Sequence, residues 1–180
     1  MLETKNPAAE ATANGVDASG GMPGVDYSTA VPSAKLTPDL EAASDFLTFL
    51  DEGAERFTFQ TFADTPEAKA EDAANRKAGR PKKYARVFNG TLEQHAAELE
   101  RLNRIGAGVF VTVNETDLKG RAEHNMTRVR AVFSDTDGSP LGPILQHGLE
   151  PQWINETSPS KWHGFWLVDG LELSEPEFNQ

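Results

Sequence analysis

Asp135 and Asp137 stand one residue apart at the end of the apolar run Ala131-Val132-Phe133, and Gly138 and Pro140 follow. Side chains two apart on a strand point the same way, so a strand running through Asp137 would project both carboxylates from its end. Adjacent carboxylates repel one another, and a cation relieves that repulsion. Hard oxygen ligands suit Mg²⁺ or Mn²⁺. Two such ions about 3.5–4 Å apart clamp the attacking and leaving oxygens in phosphoryl transfer. The same Asp-x-Asp-Gly string also describes an ordinary surface turn. A calcium loop fails on spacing, because Pro140 stands where that loop needs glycine and Gln146 where it needs a bidentate glutamate.

A second constellation is Ser158-Pro159-Ser160-Lys161-Trp162-His163. His163 shares a strand face with Phe165 and Leu167 by the two-residue period. It reads either as a core histidine or as a donor to a nucleotide phosphate, with Ser158, Ser160 and Lys161 beside it for triphosphate recognition. Trp153, Trp162 and Trp166 offer ring surface for stacking bases or for the core.

The elements that must position these groups are legible around them. Residues 1–35, rich in Ala, Gly, Pro, Ser and Asp, have no apolar periodicity and are expected to be a disordered tail. Thr37-Pro38-Asp39 predicts a helix start, with Leu40, Ala43, Leu47 and Leu50 as its stripe and Gly53 as its stop. Arg56–Gln60 alternates as a half-buried strand, Asp64-Thr65-Pro66 opens a short polar helix, and Gly79-Arg80-Pro81 is a loop. Thr91 and Gln94 have capping-box spacing ahead of a helix whose apolar residues are Leu92, Ala96, Leu99 and Leu102, closed by Gly106. His95, near that stripe, is expected to be structural or solvated. Strands are expected over 108–113, 128–135 and 162–168, which suggests α+β layering.

The chain of 180 residues carries no cysteine, so disulfides and thiolate zinc sites are excluded. No apolar run reaches the roughly 18 residues that cross a bilayer, and the first residues lack a secretory pattern. No membrane partner and a cytoplasmic location are expected. A net charge of −11 argues against coating nucleic acid by bulk attraction. Positive charge is nonetheless clustered, in Arg76, Lys77, Arg80, Lys82, Lys83 and Arg86, and again in Lys119, Arg121, Arg128 and Arg130. Such segments are solvated loops or places for phosphate contacts.

Residues 106–117, 127–138 and 156–163, with Phe165-Trp166-Leu167-Val168-Asp169-Gly170 behind them, together resemble the RepB-like primase domain of the archaeo-eukaryotic primase (primase-polymerase) superfamily. The likeness runs from about Phe46 to Leu173. It implies an RRM-like α+β catalytic core, over residues 36–180, that makes primers or extends strands in plasmid or phage replication. The family's first motif falls on Asp135 and Asp137 as ligands of Mg²⁺ or Mn²⁺. Its second falls on Ser160 to His163, with His163 on nucleotide phosphate. Arg128, Arg130, Lys82 and Lys83 are the candidates for nucleic-acid contact. Implied partners are nucleoside triphosphates, a single-stranded DNA template and a replicative helicase on another chain or segment, since no phosphate-binding Gly-x-x-x-x-Gly-Lys-Ser/Thr loop is present. A third metal-binding acid is expected beyond His163, where neither Asp169, Glu172 nor Glu175 is well placed. The core is therefore expected to be incomplete at its C-terminus and its activity impaired. The rival readings are a non-catalytic RRM-like nucleic-acid module and a metal-dependent nuclease or phosphoesterase. A rolling-circle initiator would need a nucleophilic tyrosine, and only Tyr27 and Tyr84 exist.

Overall fold

A computed structural model describes residues 38–158 and 160–171. The expected tail lies outside the described residues. Among the described residues four α-helices and eight strands follow in the order α1 (Leu40–Leu50), β1 (Phe57–Ala63), α2 (Pro66–Lys77), β2 (Arg86–Gly90), α3 (Leu92–Arg104), β3 (Ala107–Val111), β4 (Glu115–Thr116), β5 (Met126–Arg128), β6 (Ala131–Asp135), α4 (Gly142–Gln146), β7 (Trp153–Ser158) and β8 (Lys161–Leu167). The strands divide into a sheet β2-β1-β3, a ribbon β4-β5 and a sheet β6-β8-β7, and every pairing is antiparallel. The molecule is thus a mixed α/β fold of small antiparallel sheets. Among the described residues no helix is long and apolar enough to cross a membrane.

Helix α1 ties the two larger sheets together. Its buried residues Ala43, Phe46, Leu47 and Leu50 form one stripe. Phe46 is the hub: its ring meets Phe165 of β8 edge-on at 4.9 Å and Trp153 of β7 at 5.8 Å. Phe57 and Phe59 of β1, Leu99 of α3 and Ala131 of β6 complete the same core. A smaller cluster of Ala68, Tyr84, Leu102 and Ala107 seats α2 and α3 at the other end of β1. The expected α3 capping box is present, with Gln94 N–H donating to Thr91 Oγ1 and Thr91 N–H to Gln94 Oε1. His95 of α3 lies against the Phe88 ring with its Nε2 buried and unbonded.

The structure departs from these expectations at several points. The N-cap of α1 is Asp39, whose carboxylate accepts from Ala42 N–H, rather than Thr37. Strand β2, which lacks a long alternating run, was not expected, and neither was the polar strand β7. The run 128–135 is not one strand: it breaks after Arg128, and its halves join different sheets.

An ion pair buried at the break explains that division. Arg130 Nε donates to Asp51 Oδ2 at 2.8 Å, its side chain is 3% exposed, and its guanidinium lies over the Phe57 ring at 4.9 Å. Arg128 also pairs with Asp51, and with Glu115 at 3.0 Å. Burial pushes the Asp51 carboxyl up, but Arg130 and Arg128 outweigh it and hold the pKa below the usual carboxylate value. A depressed carboxylate adds stability above its unfolded pKa, and that stability is lost as pH falls through the folded value. Removing one partner of a buried pair strands the other charge, at a cost of about 3–5 kcal/mol. We therefore expect Asp51→Asn to lower the unfolding free energy at pH 7 by about 3 kcal/mol in urea titrations. The same variant should flatten the loss of stability below about pH 4, the ordinary carboxylate range. An unchanged midpoint would mean the pair is not structural.

Candidate active site

The two sequence constellations meet on adjacent strands. In the β6–β8 register Ala131 faces Leu167, Phe133 faces Phe165, and Asp135 faces His163. Residues directly opposite on antiparallel strands share a face. His163 Nε2 accordingly lies 3.3 Å from Asp135 Oδ2. The hydrogen bonding continues past the strand end, where Thr136 N–H donates to the Trp162 carbonyl and Trp162 N–H donates to Thr136 Oγ1 at 3.0 Å. Thr136 is buried, so this exchange anchors the acidic turn to the start of β8.

Asp137 reaches the site by a different route from the one expected. Strand β6 ends at Asp135, and Asp137 is left-handed at φ 44°, as is Gly138 at φ 88°. The two-residue period therefore does not carry Asp137 onto the strand face. Instead Asp137 N–H donates to Asp135 Oδ1 at 2.8 Å, an Asx-type turn that aspartate tolerates. Asp137 Oδ1 is 3.9 Å from Lys161 Nζ, and both groups are exposed. This corner thus holds two neighbouring pairs, the Asp135 carboxylate with the His163 imidazole and the Asp137 carboxylate with the Lys161 ammonium.

The neighbouring candidates are less engaged. Ser158 ends β7 opposite Lys161. Ser160 adopts φ 63°, and its N–H donates to Glu156 Oε1. Of the tryptophans, Trp153 packs on Phe46 and Phe49. Trp166 donates its indole N–H to the Leu149 carbonyl. Arg130 and Arg128 are committed to Asp51, and Lys83 is committed to Glu71 at 2.9 Å. Lys82 is exposed in the segment before β2. None of these four basic side chains bonds to the Asp135–His163 pair.

Sequence reasoning missed Phe133 and Asn155. Phe133 is 53% exposed, and its ring lies 5.8 Å from the His163 imidazole and stacks on Phe165 at 5.7 Å. Asn155 is buried opposite His163 on β7, and its Oδ1 accepts from Trp153 Nε1. The alternation of β6 was a usable signal for Phe133, since it sets Phe133 on the face of Asp135. Nothing in the sequence pointed to Asn155, because β7 itself was not legible.

The donor set fits a hard divalent cation in part. Asp135 and Asp137 are oxygen ligands on one turn, and Mg²⁺ is commonly held by one or two carboxylates plus water and substrate phosphates. Among the described residues no cluster of three or more His, Cys, Asp or Glu side chains could hold a metal by itself. Asp169 lies in the bend after β8. Glu172 and Glu175 lie outside the described residues.

No family model, no curated protein and no solved structure matches this chain.

Because the Asp135–His163 contact is solvent-exposed on the acid side, it should contribute about 0–1 kcal/mol to stability. We expect Asp135→Ala and His163→Ala each to leave the urea unfolding free energy within about 1 kcal/mol of the parent. A loss of about 3 kcal/mol in either would identify the pair as a structural strut.

Proposed function

We propose that this chain carries the front part of a primase-polymerase catalytic domain, an RRM-like core that transfers nucleotides from triphosphates onto a strand templated by single-stranded DNA. The observation that carries the reading is the register that sets Asp135 opposite His163, with their side chains 3.3 Å apart. An imidazole on the other face of the sheet would have separated phosphate recognition from the acids. The resemblance over residues 106–117, 127–138 and 156–163 supplies the reaction class.

Each residue has a chemical part in that reading. Asp135 and Asp137 offer anionic oxygens to Mg²⁺ or Mn²⁺. When such a cation is bound, the chemistry supplied is activation of the primer 3′-hydroxyl and neutralisation of charge on the departing pyrophosphate. His163 donates a hydrogen bond to a phosphate oxygen, and the Lys161 ammonium adds a positive charge at the same corner. Phe133 presents an exposed ring beside His163, against which a base or sugar packs. The third acid implied by the resemblance is not among the residues of this corner, so two carboxylates make an incomplete catalytic set. Binding is therefore the sharper readout than turnover.

The test is titration of a fluorescent nucleoside triphosphate into the 180-residue protein, with and without Mn²⁺. We expect Mn²⁺ to tighten binding at least tenfold, about 1.4 kcal/mol. Asp135→Ala with Asp137→Ala should abolish that gain, and His163→Ala should weaken binding with or without metal. Affinity unmoved by all three substitutions would refute the assignment in favour of a binding module. Release of mononucleotides from DNA with Mn²⁺ and no triphosphate would refute it in favour of a nuclease.

A further inference from the structure

The β2-β1-β3 sheet has a second face that the core does not use. Its inward positions, Phe57, Phe59, Phe88, Val109 and Val111, pack against the helices. Its outward positions are Val87 and Asn89 on β2, Thr58, Gln60 and Phe62 on β1, and Gly108 and Phe110 on β3. At one end the β4-β5 ribbon covers this face, pinned where the Thr58 and Thr116 hydroxyls hydrogen-bond at 2.7 Å. The other end is open. There Val87, Phe62 and Phe110 are 50%, 37% and 41% exposed on three neighbouring strands.

Two details make this end a platform. The rings of Phe62 and Phe110 lie side by side with centroids 5.6 Å apart. Gly108 makes room for them: a Cβ there would come within 2.9 Å of the Phe110 ring and 3.4 Å of Asp64 Cβ. The φ of Gly108 is not in the left-handed region, so its backbone does not require glycine. A side chain there would instead displace the Phe110 ring. The second detail is Arg121, whose guanidinium sits 5.5 Å above the Phe62 ring. The loop that carries it is closed by Asn125, whose Oδ1 accepts from Ala122 N–H while its amide donates to Asp117. Gly120 is packed so tightly that a Cβ would meet Asn125 Oδ1 at 2.5 Å.

Charge distinguishes this surface from the rest of an acidic chain. With a net charge of −11, the outward positions of these three strands carry no carboxylate. Arg121 has no carboxylate partner among the described residues, and the nearby Asp64 is paired with Lys69. Exposed aromatic faces with one uncommitted guanidinium suit a polyanion whose units have π-faces. They do not suit a basic peptide. Stacking on side-chain rings is how single strands are held with little sequence preference.

We propose that Phe62, Phe110 and Arg121 form a docking platform for single-stranded nucleic acid, separate from the Asp135–His163 corner. A base stacks on the exposed Phe110 ring, and Arg121, held over the Phe62 ring, takes the adjoining phosphate. With so few phosphate contacts the salt dependence of binding is shallow.

The experiment is fluorescence anisotropy of a labelled single-stranded DNA oligonucleotide with the intact chain, without metal or triphosphate. RNA of the same sequence and duplex DNA are run in parallel. We expect single strands to bind better than duplex, and Phe62→Ala with Phe110→Ala to weaken binding at least tenfold, as loss of stacking requires. Phe62→Tyr with Phe110→Tyr should restore it, which excludes a folding defect. Arg121→Gln should weaken binding several-fold, and Gly108→Val should weaken it by lifting the Phe110 ring. Binding is read without metal or triphosphate, so failure here is separable from failure of the nucleotide site. Affinity unaffected by the double alanine variant overturns the proposal. So does a chain that ignores the oligonucleotide and self-associates through this face in sedimentation runs.

Discussion

The register between β6 and β8 is held at both ends and in the middle. At the inner end Val168 N–H donates to the Arg130 carbonyl, and Arg130 is itself fixed by Asp51. In the middle Phe133 stacks on Phe165, which is wedged against Phe46 of α1. At the outer end Thr136 and Trp162 exchange hydrogen bonds. A slip of one residue would turn every side chain to the opposite face, burying Asp135 or expelling Phe165 from the core. The chemistry proposed for the corner exists only because that slip is forbidden. The core residue Phe46 and the ion pair at Asp51 are thus coupled to the site through a strand pairing, without touching it.

A second consequence of the architecture is a division of labour between sheets. The β6-β8-β7 sheet places its polar residues at one end of the face that packs on α1, so that Phe165 and Trp153 sit in the core while Asp135 and His163 project beyond it. The β2-β1-β3 sheet does the reverse, giving the rings of its inward face to the core and leaving other aromatics exposed on its outward face. Helix α1 packs against both sheets, so their spacing is set by close-packed rings.

How much of this was readable in the sequence follows from the range of the interactions. Local signals held: the capping box at Thr91 and Gln94, the stripe of α1 at Ala43, Leu47 and Leu50 though not at the exposed Leu40, and the strands around Val109 and Phe165 all depend on neighbours within a few residues. Pairing Asp135 with His163 came from a motif resemblance rather than from periodicity. Long-range terms were invisible. Arg128-Val129-Arg130 alternates like a strand, yet the chain breaks there because Arg130 finds its counter-charge in Asp51, 79 residues earlier. Asp137 sits in a left-handed turn because Asp135 accepts its amide proton, a local competition that strand spacing ignores. Phe62 and Phe110 are separated by a helix, a strand and another helix, so no window of sequence could show that they meet.

The most direct test of the central claim is paramagnetic broadening of histidine imidazole NMR signals by substoichiometric Mn²⁺. The chain has four histidines, His95, His124, His147 and His163, which serve as internal controls. The account predicts selective broadening of His163, abolished when both Asp135 and Asp137 are replaced by alanine. Equal broadening of all exposed histidines, or selective broadening that survives loss of both acids, would contradict it.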